Sequence, residues 1–295
     1  MLSWLAYLTV SVVWGSTFLA IAYAIESFTP FGLSAARFLP AGLLALLIGR
    51  LRRERLPTPR ELPHLVVVGV LLLTVCMALI AWAEGRVSSG VTAILGATVP
   101  LFLGLMAPRG LDARSWSGLG VGFLGVVLLL WPSGPSPALT GSLVLLVSTS
   151  IWSFGTLYSG RHPVQAGHCS QVGIEMLTAG LLSLLIAPFA GGFTHAPVGR
   201  NSLLALAYLI LFGSILAYSA YIHLSRAWPP ARAGTYAYWN PVVAVLLGCG
   251  MRGEAVHARM LPGLLLVLLG VGLVQIPGER VHRWARRFRP AREGS

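Results

Sequence analysis

The sequence contains no lysine; all 21 of its basic residues are arginine. Charge of either sign is scarce, at 10% of residues, where a soluble domain carries about a quarter. Together with an apolar content of 56%, that shortage excludes one or two ordinary soluble domains. Cysteine is also sparse. Cys76, Cys169 and Cys249 lie far apart, in or beside apolar segments. They offer neither a disulfide framework nor a metal-ligand spacing, so no metal and no cofactor is expected. The chain has no H-E-x-x-H, no G-x-S-x-G, no Walker-type glycine-rich loop and no paired carboxylates inside its apolar runs. Those absences argue against an enzyme and against a nucleotide-driven pump.

What is present instead is a series of long apolar runs, from Leu65 to Ala83 and from Leu261 to Ile276 among others. Runs near 20 residues match a hydrocarbon layer of ~30 Å at ~1.5 Å per helical residue. Breaks at proline, glycine and charge clusters give ten candidate spans: 3–25, 31–49, 64–83, 87–106, 116–131, 140–160, 169–190, 202–225, 229–250 and 259–276. The fold expected is an all-α polytopic membrane protein. The first span carries Trp, Tyr and Ser in its middle and no small-residue cleavage site, which predicts a retained helix rather than a signal peptide.

Arginine placement sets the orientation. With Met1 in the cytoplasm, 16 arginines fall in inside loops and the tail. Only four, Arg86, Arg200, Arg252 and Arg259, fall outside, and Arg37 lies within a span. Both termini are therefore expected to be cytoplasmic. The net charge of +12 then reflects topology and anchoring to anionic headgroups, including the tail ERVHRWARRFRP, rather than nucleic-acid binding. The partners expected are the lipid bilayer and a small-molecule solute.

AGLLALLIG at Ala41–Gly49 returns as AGLLSLLIA at Ala179–Ala187, 138 residues later. Trp14 and Trp152 share that offset. Arg86 and Arg226 are 140 apart, Pro100 and Pro241 are 141 apart, and Gly125 and Gly270 are 145 apart. The chain reads as a tandem repeat, 1–137 and 138–277, followed by the basic tail 278–295. Each copy holds five spans. Because five is odd, the second copy enters the membrane from the opposite face, which relates the copies by a pseudo-two-fold axis in the membrane plane. Inverted repeats enclosing a central cavity are a recurring design of secondary transporters.

In this order the residues resemble the drug/metabolite transporter superfamily, in its ten-helix EamA-type branch. The resemblance is carried by WGSTF in span one, SAARFLPAG in span two, SSGVTAILGATVPLF in span four and GLGVGFLGVVLLL in span five. YWNPVVAVLLGCGMRGE, ending in Glu254, and PGLLLVLLGVGLV carry it in spans nine and ten. It covers about residues 5–277. One departure is Asp112, near the place of the usual Glu in the first half. The resemblance implies ten helices around a central cavity in the cytoplasmic membrane of bacteria. It also implies movement of small metabolites, with amino-acid export a frequent activity. A carrier for lipophilic cations, a channel or a lipid scramblase are the rivals.

Helical spacing marks the faces that would meet a solute. Ser214, Tyr218, Tyr221 and Ser225 fall at i, i+4, i+7 and i+11, and Tyr7, Ser11, Trp14 and Phe18 repeat the pattern, as do Ser148, Trp152, Gly155 and Ser159. Tyr236, Trp239 and Asn240 follow at i, i+3 and i+4. Polar groups facing lipid are costly, so these stripes are expected to turn inward. There they form a cavity wall or close helix contacts. The candidate solute-binding set is Trp14, Phe18, Trp152, Tyr218, Tyr221, Tyr236, Trp239 and Asn240. Such a wall suits an apolar or cationic body with one or two hydrogen-bonding groups. Pro100 and Pro241 are candidate hinges, or static kinks. Arg37 and Glu175, 138 apart, are candidate gating or coupling charges. Their depths near opposite faces argue against a direct pair. Arg37 is expected to snorkel outward towards Glu26, or to bind a solute carboxylate at the outer mouth. For Glu175 a proton site, an inner gate and a partnership with Arg161 all stand open. The Gly118/Gly122 pair packs either within one chain or between two, which leaves a homodimer open.

Overall fold

The computed structural model describes residues 1–107, 112–130, 137–228, 236–237, 239–255 and 258–275. Among them the chain forms ten membrane-scale helices and no sheet. They are α1 (Leu2–Ala24), α2 (Pro30–Leu51), α3 (Leu62–Glu84), α4 (Ser89–Met106), α5 (Ala113–Leu129), α6 (Ala138–Arg161), α7 (His168–Phe189), α8 (Arg200–Ser225), α9 (Trp239–Arg252) and α10 (Met260–Val274). Seven are long and apolar enough to cross a membrane, while α5 and α10 are apolar but shorter. The tail beyond residue 275 lies outside the described residues.

Several helix starts are written locally. Thr29 caps α2, its Oγ1 accepting the Gly32 amide at 3.0 Å, with Pro30 in the first turn. Asp112 Oδ1 accepts the Ser115 amide at 2.8 Å before α5. The start of α7 is capped from elsewhere. The amides of Cys169 and Ser170 donate to Glu54 Oε2, in the loop after α2, at 2.7 and 3.2 Å. Next to it, Glu61 accepts the amides of Thr58 at 2.8 Å and Gln165 at 2.7 Å. These bonds, with smaller help from the Thr58 hydroxyl and Arg55, lower its carboxyl to about 2. Two capping carboxylates thus tie the α2–α3 loop to the α6–α7 loop.

Helices related by the repeat pack directly on one another. A Cβ at Gly42 of α2 would lie 2.8 Å from Leu177 N of α7, and one at Gly180 would lie 2.7 Å from Leu39 N. Both Gly42/Gly180 and Leu39/Leu177 are 138 apart, so these are one contact seen from both copies. A Cβ at Gly173 would meet Leu46 Cγ at 2.6 Å. The facing numbers fall on α7 as they rise on α2, so the pair is antiparallel. The same holds between α5 and α10, where a Cβ at Gly118 would lie 2.7 Å from Gly270 O and one at Gly263 would lie 3.4 Å from Gly125 O. Antiparallel contact of equivalent helices is what a two-fold axis in the membrane plane requires. The repeated apolar phrase is therefore half of a helix seam, with glycine admitting the partner backbone. The Gly118/Gly122 pair packs within the chain, against Gly270.

Two pairs of helices are irregular in matched places. α3 passes through a π-helical stretch at Gly69–Val75 and α8 through one at Leu209–Leu216. Gly69 and Leu209 are 140 apart, the offset of Arg86 and Arg226. α4 is interrupted between Ser89–Gly96 and Val99–Met106, with Pro100 in the first turn of the second segment. In its counterpart α9, described as a helix over Trp239–Arg252, Pro241 follows a 3-10 turn at 236–237. Within the expected span 229–250 a 3-10 turn at 236–237 precedes the helix Trp239–Arg252; its start at 229–235, and residue 238, lie outside the described residues.

Candidate functional site

Eight helices, all except α5 and α10, contribute described residues to a central cavity of about 110 Å³. Trp14, Thr17, Phe18 and Ile21 run along it from the middle of α1 towards the face opposite Met1. Leu73, Cys76, Met77 and Ile80 line it from α3, and Leu145, Ser148, Thr149 and Trp152 from α6.

On the side nearer Met1 the cavity ends in an aromatic layer. Trp14 meets Trp152 edge-on at 5.8 Å between centroids, Tyr236 edge-on at 5.3 Å and Tyr221 at 5.0 Å. Trp14 and Trp152 are repeat equivalents, so this contact joins the two copies at their axis. The Trp14 indole Nε1 donates to Gly213 O at 3.3 Å, inside the π stretch of α8. Nearer Met1, Trp4, Tyr7 and Trp228 form a second cluster, with centroids 5.0 to 5.9 Å apart. On the opposite face α1 and α9 are joined by an Arg252–Glu26 ion pair at 3.0 Å and by Tyr23 Oη donating to Met251 O at 2.9 Å.

Polar groups are few and specific. Arg37 is buried, lines the cavity and donates from Nε to Ser214 Oγ at 2.7 Å. Its guanidinium lies 4.8 Å from the Phe38 ring centroid. A Cβ on Gly213 would stand 3.2 Å from its Nη2. The π stretch of α8 thus supplies both the small residue that admits Arg37 and the hydroxyl that holds it. Asn240, at the start of α9, lines the cavity with Oδ1 buried and without a partner among the described residues. Tyr218 lines the cavity too, and its hydroxyl donates to Glu175 Oε2 at 2.5 Å. Glu175 also accepts from Gln171 Nε2 at 2.9 Å.

Of the residues singled out by spacing, Trp14, Phe18, Arg37, Trp152, Tyr218, Tyr236 and Asn240 are gathered on one wall system. Tyr221 stands behind it, against Trp14 and Trp152. Trp239 is corrected: it is 54% exposed and lies off the cavity wall. A 3-10 turn at 236–237 breaks the helical period there, and of this stripe Tyr236 and Asn240 line the cavity. Pro100 and Pro241 are buried at the helix breaks rather than on the wall. Arg37 does not snorkel towards Glu26, which pairs with Arg252 instead. Glu175 is fully buried and accepts from Tyr218 and Gln171. Because Gly42 faces Leu177 and Leu46 faces Gly173, Glu175 is level with residue 44. That leaves seven residues, about 10 Å, of axial distance to Arg37. Spacing missed Glu84 entirely. It sits at the end of α3, 6% exposed, with neither carboxyl oxygen hydrogen-bonded among the described residues. Its place at the edge of an apolar run gave it the look of a loop charge.

Known proteins agree with this architecture. The family model described as the EamA-like transporter family matches residues 1–131 and again 139–276. The uncharacterized inner membrane transporter YedA of Escherichia coli is 37% identical over 269 residues, which span 90% of this chain and 88% of that protein. A probable terminal-alkyne amino-acid exporter of Streptantibioticus cattleyicolor is 27% identical over 92% of both chains. A solved crystal structure shares the fold, with a TM-score of 0.65 over 92% of this chain and 96% of that one, at 21% identity.

Proposed function

The chain belongs to the EamA-like transporter family, and from that premise we propose that it is a secondary transporter working by alternating access, exporting amino acids or similar apolar-bodied solutes. It sits in the cytoplasmic membrane with both termini inside, the arrangement favoured by 16 arginines against four. The observation that carries the reading is the matched irregularity of the two copies around one small cavity. π stretches in α3 and α8, and breaks in α4 and α9, give each copy the same two places to change shape. Exchanging the conformations of two equivalent halves moves the opening from one face to the other. With termini inside, the aromatic layer around Trp14 closes the cytoplasmic side.

Two observations bear on the solute. A cavity of about 110 Å³ suits a solute of amino-acid scale rather than a drug-sized one. A buried arginine in its wall, with no carboxylate partner among the described residues, repels the lipophilic cations of the rival reading. The exporter of S. cattleyicolor supports the amino-acid class by likeness. Glu175, linked to the wall through Tyr218, is the coupling site in this scheme.

The test is counterflow of radiolabelled leucine in proteoliposomes. Saturable exchange is expected, with a pH dependence that Glu175→Gln flattens. Unitary conductance in planar bilayers without counterflow would replace the carrier by a channel. Flux indifferent to pH would remove proton exchange.

A further inference from the structure

We infer that Arg37 is the receptor for a solute carboxylate and Asn240 the acceptor for its ammonium group, so that the solute class is the small zwitterionic α-amino acid. This rests on the carrier reading above and narrows it.

A guanidinium offers five N–H donors in a fixed fork and stays charged at neutral pH. Ser214 Oγ takes the Nε donor at 2.7 Å. Among the described residues no carboxylate pairs with Arg37. Glu26 is engaged by Arg252 at 3.0 Å, and Glu175 is engaged by Tyr218 about 10 Å away along the helix axes. Arg37 lines the cavity, and its terminal nitrogens have no acceptor among the described residues. An unpaired charge inside a membrane protein is costly and marks a functional site. A planar carboxylate satisfies two parallel donors at once, which a point charge does not. The Ser214 bond and the Phe38 face fix the plane of the fork, so its cost of ordering is met before the solute arrives.

The second group lies on another helix. Asn240 lines the same cavity, and its Oδ1 is buried without a partner among the described residues. A buried acceptor without a donor is costly, and a solute N–H removes that cost. The same cavity is also lined by Phe18, Trp14 and Tyr236, an apolar surface for a side chain. A lone cation would meet Arg37 as a like charge, and a fully apolar solute would leave both polar groups unsatisfied.

The experiment measures binding of a leucine series to the purified full-length protein by quenching of its tryptophan fluorescence, since Trp14 and Trp152 line the cavity. The probes are L-leucine, isocaproate (no ammonium) and leucinamide (no carboxylate). In the wild type, leucine is expected to bind at least about tenfold more tightly than leucinamide. Arg37→Gln is expected to abolish that preference, weakening leucine and isocaproate while leaving leucinamide unchanged. Ser214→Ala, a milder change, is expected to weaken both acids several-fold, and Asn240→Leu to weaken leucine but not isocaproate. Leucinamide binding the wild type as tightly as leucine overturns the assignment. So does an Arg37→Gln protein, folded by circular dichroism, that keeps the preference, or failure of both acids to bind the folded wild type. The carrier reading fails separately: leucine that binds with this preference but shows no counterflow leaves the site and removes the transport. Counterflow of leucinamide equal to that of leucine does the reverse.

Discussion

Gly42 in α2 and Leu177 in α7 meet so closely that a Cβ on the glycine would lie 2.8 Å from the leucine amide nitrogen. Gly180 and Leu39 make the same contact from the other copy. A methyl here must push two backbones apart, and neither is a flexible side-chain end. Gly42→Ala and Gly180→Ala are therefore expected to destabilise by similar amounts, ~1–3 kcal/mol each. Gly120, in α5, has no heavy atom within 4 Å of where a methyl would stand, and an ordinary helical setting. Gly120→Ala is expected to leave the melting temperature unchanged or raise it. Thermal unfolding of the three variants in one detergent decides the matter.

The Glu61 staple predicts an acid limit on one side of the molecule. Its carboxyl is held at about 2 by the Thr58 and Gln165 amides. Because the folded value lies below the ordinary 4.5, the contribution is complete above the ordinary value and is lost as pH falls through the folded one. Glu61→Gln is expected to melt below the wild type at neutral pH, with the difference shrinking as pH drops from about 5 towards 2. Melting curves across that range read it directly; a gap that widens towards acid would contradict the bond set.

Tyr218 and Glu175 form a buried pair, at 2.5 Å, between the cavity wall and α7. Tyr218→Phe removes a donor from a buried carboxyl and is expected to cost ~1–3 kcal/mol. Glu175→Leu removes the other side. In a double-mutant cycle the two losses are expected to overlap, the double variant costing less than the sum by ~0.5–3 kcal/mol. Strict additivity would mean that the two side chains act independently.

Glu84 has the opposite character. Its carboxyl is buried with no hydrogen-bond partner among the described residues. Apolar replacement removes a desolvation cost and breaks no hydrogen bond among the described residues. Glu84→Leu is expected to raise the melting temperature, whatever it does to flux. A fall would reveal a partner gained in the membrane.

Pro100 and Pro241 each open a helical segment at equivalent breaks in α4 and α9. If those breaks flex during the access change, Pro100→Ala and Pro241→Ala lower leucine exchange rates in proteoliposomes by comparable factors while binding is kept. Full exchange in both variants would make the prolines static kinks.

Fold class was legible because its causes are local. Long apolar runs demand helices with satisfied backbones in lipid, and the offset that repeats Trp14 as Trp152 also repeats the glycine seam. The inward stripes were legible for the same reason, since helical period places Ser214 and Tyr218 on one face. What remained hidden depended on contacts between distant segments. No residue pattern announces the π stretches at Gly69–Val75 and Leu209–Leu216, because a π turn is chosen by what packs beside it. Trp239 obeyed its stripe in the sequence but left the wall, because a 3-10 turn at 236–237 stands where a continuous helix was expected. Arg37 looked like a surface-seeking charge by depth alone. Only the approach of Gly213 and Ser214 from another copy turned it inward, and a side chain's partners across a bundle are decided by packing, not by its position along its own helix.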